Sequence, residues 1–198
     1  MNLHGVKNNL VYLDEYGLLG SNFYWHKHGA DGLSKEDLAA AGLTSDRVQV
    51  HRDLIEPLQA ADQAFQNRGY RLYVKEGYRS PELYAIVYQR RVEKFGQALT
   101  DRLLNVVDQP HADGGAVDVA PWIQKENKEV YLRNWEDGAD ALLADFYKNK
   151  TDESSKKYQE LQEWMIGVMQ RHGFRLGRLR EYFHFNYRPN SKPDYPLC

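Results

Sequence analysis

The chain has 198 residues, 42% of them hydrophobic, with a formal net charge of −2 and its acidic and basic residues interleaved. That length suits a single domain, residues 1–198, with a core of its own. The composition excludes wholesale disorder, and the charge balance speaks against a nucleic-acid surface or a patch for anionic membranes.

The opening stretch MNLHGVKNNLVYLDEYG lacks the charged start and long apolar run of a secretory signal. No later segment approaches the roughly 18 apolar residues of a membrane span. The expected location is therefore cytoplasmic, with the periplasm as the alternative if a leader belongs ahead of this sequence. Residues 1–45, rich in glycine and aromatics, are expected to be mostly irregular with short strands. The exception is a short helix at Ser34 to Ala41, where Ser34 can cap and Asp37 sits at the third helical position. From Arg52 to Arg68, Leu54, Ile55, Leu58, Ala61, Ala64 and Phe65 recur at three-to-four spacing, predicting an amphipathic helix that stops at Gly69. Tyr70 to Glu76 alternates like a strand and is broken by Gly77-Tyr78-Arg79-Ser80-Pro81. Pro81 then starts a helix running to about Phe95, with Gly96 as its stop.

HADGGAVDVAP (111–121) reads as a glycine turn followed by a short strand, with Ala116 and Asp118 on one face and Val117 and Val119 on the other. Residues 124–160 are polar, with an expected helix around Ala139 to Tyr147 and a mobile stretch at Asn149 to Lys157. Leu161, Trp164, Met165, Val168 and Met169 give Tyr158 to Arg171 a helical apolar face, closed by Gly173. The stretch GFRLGRLREYFHFNYR is β-rich. Intermixed helices and strands with few βαβ units predict an α+β fold, a mostly antiparallel central sheet with flanking helices.

The one cysteine, Cys198, is terminal, which removes internal disulfides and paired-cysteine zinc sites; a metal site must use histidine and carboxylate. His111 stands seven residues before Asp118, and a turn at Gly114-Gly115 can fold it back over the strand that carries Asp118. Imidazole and carboxylate suit zinc, and a metal would offset the cost of burying Asp118 between two valines. A glycine hairpin with an exposed Asp118 accounts equally well for this spacing. Glu181 and His184 form an E-x-x-H set among aromatics. On a regular strand, positions three apart face opposite sides. The pair converges only with a turn or bulge between the two, or with Glu181 just ahead of the strand; otherwise Glu181 is a cross-strand ion-pair partner and His184 a packed residue. His26-x-His28 is a competing pair that reads as solvated, and His172 suits a helix C-terminus. There is no G-x-S-x-G and no phosphate-binding loop.

His111-Ala112-Asp113-Gly114-Gly115-Ala116-Val117-Asp118 resembles the S-x-H-x-x-G-x-A-x-D signature of the zinc D,D-peptidases, which share a fold with the hedgehog signalling domain. Glu181-Tyr182-Phe183-His184 resembles their E-W-W-H, and Gly77-Tyr78-Arg79-Ser80 the G-Y-R-P turn of the D-alanyl-D-alanine dipeptidase branch. The order of the motifs fits over roughly residues 10–190. The resemblance implies one Zn2+ held by His111, Asp118 and His184, Glu181 as the proton-transfer group, and Arg79 as the oxyanion stabiliser unless it forms a surface ion pair with Glu76 or Glu82. It implies a small D-dipeptide as substrate, with a D,D-carboxypeptidase, a peptidoglycan endopeptidase or a non-catalytic zinc domain as alternatives. Gln109 replaces the usual serine near the substrate carboxylate, Tyr182-Phe183 the tryptophan pair, and Ser80 the proline. An acidic partner for the substrate amine is expected among Asp137, Asp140 and Asp145, with Asp140 taken as the candidate.

Overall fold

The computed structural model describes residues 9–27, 32–104 and 108–188. His4, His28 and Cys198 lie outside that range. The described strands are β1 (Leu10–Tyr12), β2 (Leu19–Gly20), β3 (Gln49–His51), β4 (Arg71–Glu76), β5 (Ala116–Ile123), β6 (Lys128–Glu129), β7 (Phe174–Leu176) and β8 (His184–Tyr187). The described helices are α1 (Phe23–Lys27), α2 (Lys35–Ala40), α3 (Ile55–Gln66), α4 (Pro81–Phe95), α5 (Gln97–Leu103) and α6 (Glu153–Arg171). One sheet has the order β2-β4-β5-β8-β7 with β6 beside β5, and β1 and β3 form a separate pair. β1–β3, β5–β6 and β7–β8 pair antiparallel. The fold is mixed α and β with mostly antiparallel strands, as the element pattern predicts. Among the described residues no helix is long and apolar enough to cross a membrane. The chain falls into two compact units, Met1–Arg52 with Val74–Val117, and Asp53–Tyr73 with Asp118–Cys198.

In the first unit, α2 begins at a full capping box. Ser34 Oγ accepts from the Asp37 amide at 3.0 Å, and the Asp37 carboxylate accepts from the Ser34 amide at 2.9 Å, satisfying two donors that a helix start otherwise leaves open. Its buried Leu38 packs with Tyr24, Leu83, Tyr84 and Val87. α4 begins as its sequence dictates: Pro81 is pre-set for the first helical position, and Ser80 Oγ accepts from the Leu83 amide at 3.1 Å. The Ser80 hydroxyl also donates to the Ala41 carbonyl at 2.9 Å, tying the start of α4 to the end of α2. The N-terminal region is thus more helical than its glycine and aromatic content suggests, because α1 and α2 are short helices stabilised by a cap and by packing rather than by length.

In the second unit, Ile55, Leu58, Ala61 and Phe65 form the buried face of α3, whose Phe65 ring lies 4.7 Å from that of Trp164 on α6. The apolar spacing predicted a helix from Arg52, but Arg52–Leu54 is a 3-10 turn that leads into α3. Two expectations for residues 124–160 are corrected. The stretch around Ala139 to Tyr147 is no α-helix: after a 3-10 turn at Ala139–Leu142, Leu143 bridges antiparallel to Glu181, and the Ala144 amide donates to the Arg180 carbonyl at 2.9 Å. Those backbone groups go to a neighbouring strand-like segment instead of the i−4 carbonyl. The stretch Asn149 to Lys157 is largely ordered, since α6 starts at Glu153, five residues before the predicted position, where the Asp152 carboxylate accepts from the Ser155 amide at 2.9 Å.

Asp62 is the buried polar clamp of this unit. Its carboxylate accepts from the Leu72 amide at 2.7 Å and from Arg71 Nε at 3.0 Å, fastening α3 to the first residues of β4. Asp62→Ala leaves a buried amide without a partner. The expected loss, read from the urea midpoint at unchanged slope, is about 2–3 kcal/mol; Asp62→Asn, which can still accept from Leu72, should lose less.

Candidate metal centre

His111 follows a turn in which Gln109 holds a left-handed φ of 40° and accepts from the Ala112 amide at 2.9 Å. The buried imidazole has Nδ1 2.7 Å from the Gly77 carbonyl. A carbonyl only accepts, so Nδ1 carries the proton and Nε2 is left as the ligand nitrogen. The main chain is held as firmly: the His111 amide donates to the Tyr84 hydroxyl at 3.1 Å, and its carbonyl accepts from the Arg79 and Gly114 amides at 3.0 and 3.1 Å. Gly114 has φ +74°, and a Cβ there would stand 2.7 Å from Leu10 and 2.8 Å from the His51 amide nitrogen, so this turn needs glycine for both its conformation and its space.

Asp118 lies on β5, where the neighbouring Val119 amide donates to the Phe183 carbonyl at 2.9 Å. Val117 and Val119 are buried, and so are Ala116 and Ala120, so both faces of this strand are covered. Asp118 itself is half-buried, with Oδ1 2.8 Å from His184 Nδ1. His184 begins β8 and is 7% exposed. The ligand atoms of His111, Asp118 and His184 all lie within 4.8 Å of one another, and among the described residues this is the group of histidine, cysteine and acidic side chains that could hold a metal ion. Two imidazole nitrogens and one carboxylate oxygen are donor types that suit zinc.

The backbone between Glu181 and His184 is a turn. Arg180 takes a left-handed φ of 57°, residues 182–183 turn, and the His184 amide donates to the Glu181 carbonyl at 3.1 Å. The half-buried Glu181 therefore stands just ahead of β8, which frees it from the opposite-face rule of a regular strand. Gln109 and Arg180, non-glycine residues with positive φ, precede the ligand-bearing turns by two and four residues, the kind of backbone cost that concentrates at functional sites.

Arg79 is buried at 5% exposure, and its ion pair is not the surface contact weighed for it. Its Nε and Nη2 contact the two oxygens of Glu76, itself 2% exposed, at 2.7 and 2.5 Å. The guanidinium also faces the rings of Tyr24 and Tyr84, at 5.1 and 4.4 Å from their centroids. Burial by itself would lower the Arg79 pKa; the Glu76 carboxylate, helped by the two tyrosines, outweighs it and holds the group well above its usual value. Sequence reasoning missed this pair as a support for the His111 turn. The signal, Glu76 three residues before Arg79 at the end of a strand, was present but reads equally as a surface contact.

Glu181, Asp137, Asp140, Asp145, His26 and His172 are not among the clustered ligands. Gln109 is half-buried in the turn before His111. Asp140 is exposed on a 3-10 turn, while Asp137 accepts from the Tyr147 hydroxyl at 2.7 Å and Asp145 pairs with Arg180 at 3.3 Å. His26 is exposed beside Ser21 and Asp46. His172 caps α6 with its pKa lowered by burial and by Arg171.

No family model matches the chain, and no curated protein matches it significantly. Similar solved structures include the LdcB LD-carboxypeptidase, studied for peptidoglycan recognition, at a TM-score of 0.48 and 16% identity over 72% of this chain and 61% of that one. They also include the vancomycin-resistance D,D-dipeptidase VanXYg, in complex with a D-Ala-D-Ala phosphinate analogue, at a TM-score of 0.43 and 18% identity over 90% of this chain and 66% of that one. The chain spans less than two thirds of the length of either.

Because Glu76 and Arg79 neutralise each other while buried, Glu76→Gln should cost about 3–5 kcal/mol in urea denaturation of chelator-treated protein. The double variant Glu76→Gln/Arg79→Met, which removes the stranded charge, should recover much of that loss. Strictly additive costs would show that the two side chains are not coupled.

Proposed function

We propose that this protein is a zinc-dependent peptidase of the D-alanyl-D-alanine dipeptidase type. The observation that carries the reading is the approach of the His111, Asp118 and His184 ligand atoms to within 4.8 Å of one another, on the residues whose order resembles the zinc D,D-peptidase motifs. Zinc at such a centre supplies Lewis acidity toward a carbonyl and lowers the pKa of water.

The chain's own groups carry the rest. His111 presents Nε2, because Gly77 holds its Nδ1 proton. His184 presents the Nδ1 edge that it turns toward Asp118. Glu181, one turn before His184, takes the proton of the attacking water and returns it to the departing amine. Arg79 remains the candidate to stabilise the developing oxyanion. Since Glu76 takes Nε and Nη2, the atom it would offer is Nη1. Gln109, in the turn before His111, is the candidate contact to the substrate carboxylate, and the exposed Asp140 the candidate contact to its amine. The substrate of this reading is D-Ala-D-Ala or a similar dipeptide of D-amino acids.

The test uses purified protein, its metal content and the release of D-alanine from D-Ala-D-Ala. Glu181→Ala should keep about one zinc per chain and lose activity by about 10²-fold or more, whereas His184→Ala should lose the metal. Full turnover in Glu181→Ala would remove the proton-transfer assignment, and a protein without zinc would remove the class. Hydrolysis of a wall-derived pentapeptide but not of the free dipeptide would move the substrate to that of a D,D-carboxypeptidase.

A further inference from the structure

Gly177 follows β7 directly, and the β7–β8 register places it opposite His184: Leu176 pairs with Phe185, and the Gly177 amide donates to the His184 carbonyl at 3.1 Å. Gly177 is buried. Its backbone is not in the left-handed region that favours glycine, yet a Cβ built on it would lie 2.3 Å from His184 Cδ2 and 2.9 Å from Nε2. Real Cβ atoms essentially never come that close, so with any side chain here the His184 ring would have to move. The other edge of the same ring, Nδ1, meets Asp118 at 2.8 Å. The imidazole is therefore wedged, one edge on Asp118 and the opposite edge on a bare Cα.

We propose that Gly177 is a positioning residue: its missing side chain forms the seat that holds the His184 imidazole in the ligand cluster. The proposal rests on the metal-centre reading for its consequence and on geometry alone for its existence. Any side chain at 177 drives the ring toward Asp118 or out of the cluster, because the β7–β8 pairing and the Gly177–His184 backbone hydrogen bond hold the two segments together. The seat also favours Nδ1 over Nε2 as the metal-facing nitrogen, because the Cδ2–Nε2 edge rests against the β7 end of the hairpin.

The experiment is Gly177→Ala, made alone and in a His184→Ala background, with two readouts. The first is the Tm of chelator-treated protein. Alanine at 177 should lower Tm by about 4 °C or more in the parent and by much less when the His184 ring is absent. The second is zinc affinity, from competition with a chromophoric chelator and scaled to folded protein. Gly177→Ala should raise the zinc Kd about 10- to 100-fold, the usual effect of disturbing what orients a ligand. Equal Tm losses in both backgrounds would overturn the proposal, because the cost would then belong to the backbone and not to the ring. An unchanged zinc Kd would overturn it as well. If Gly177→Ala alone fails to fold, a folded double variant supports the seat and an unfolded one overturns it. The Tm coupling is measured without metal, so it survives a failure of the peptidase reading, while a parent that binds no zinc counts against that reading alone.

Discussion

A buried imidazole must have its ring nitrogens accounted for, and that requirement shapes the surroundings of His111 in the first unit and of His184 in the second. An unsatisfied polar group in a protein interior costs about 1–3 kcal/mol, so a buried histidine is either fully hydrogen-bonded or held for a ligand. For His111 the Gly77 carbonyl takes Nδ1 at 2.7 Å, and the ring belongs to the ligand cluster. For His184, Asp118 meets Nδ1 at 2.8 Å. The Gly77 carbonyl fixes the tautomer and ring plane of His111, which is how a group behind a metal centre holds a ligand ready; the close approach of Asp118 to His184 Nδ1 is that of two members of the ligand cluster itself.

The partners themselves need support. Gly77 lies at the end of β4 with the Gln49 carbonyl so close that a Cβ would reach 2.2 Å from it. The Glu76–Arg79 pair brackets Gly77, and the Arg79 amide returns to the His111 carbonyl. A buried ion pair seldom adds net stability, since desolvation cancels most of its attraction. What it adds here is direction: a guanidinium held by two carboxylate oxygens and flanked by two tyrosine rings has few other orientations available. The 77–79 segment is thereby kept in one course, and with it the carbonyl that orients His111.

In the second unit the same logic runs through backbone pairing. Residues 142–144 exchange hydrogen bonds with 180–182, where the Ala144 amide meets the Arg180 carbonyl and the Tyr182 amide the Leu142 carbonyl. Glu181 thus sits in a short ladder although it lies outside any regular strand. The acidic stretch 137–145 is fastened to the turn that carries Glu181, and Asp145 adds an ion pair to Arg180. A segment that reads as a loose polar connection is in fact the outer support of that turn.

Much of the local structure was legible in the sequence because it rests on short-range chemistry. Ser34 with Asp37, Ser80 with Pro81, and the apolar spacing of 54–65 specify caps and helix faces within a few residues of themselves. The His111–Asp118 spacing with its glycines made those two residues candidates, whereas His184 was singled out only by the resemblance of the later E-x-x-H to a family motif. What the sequence could not decide is everything set by partners distant along the chain. Asp118 is satisfied by a residue 66 positions away; the helix expected near Ala139 is lost to pairing with Arg180 and Tyr182; the ion pair of Arg79 proves buried rather than solvated. Gly177 carried no signal at all, because the need for glycine there comes from a ring folded back across a hairpin. Hydrogen-bond capping and periodicity act over one or two turns and are written in neighbouring letters. Burial and steric exclusion depend on which segments meet, and only the tertiary structure decides that.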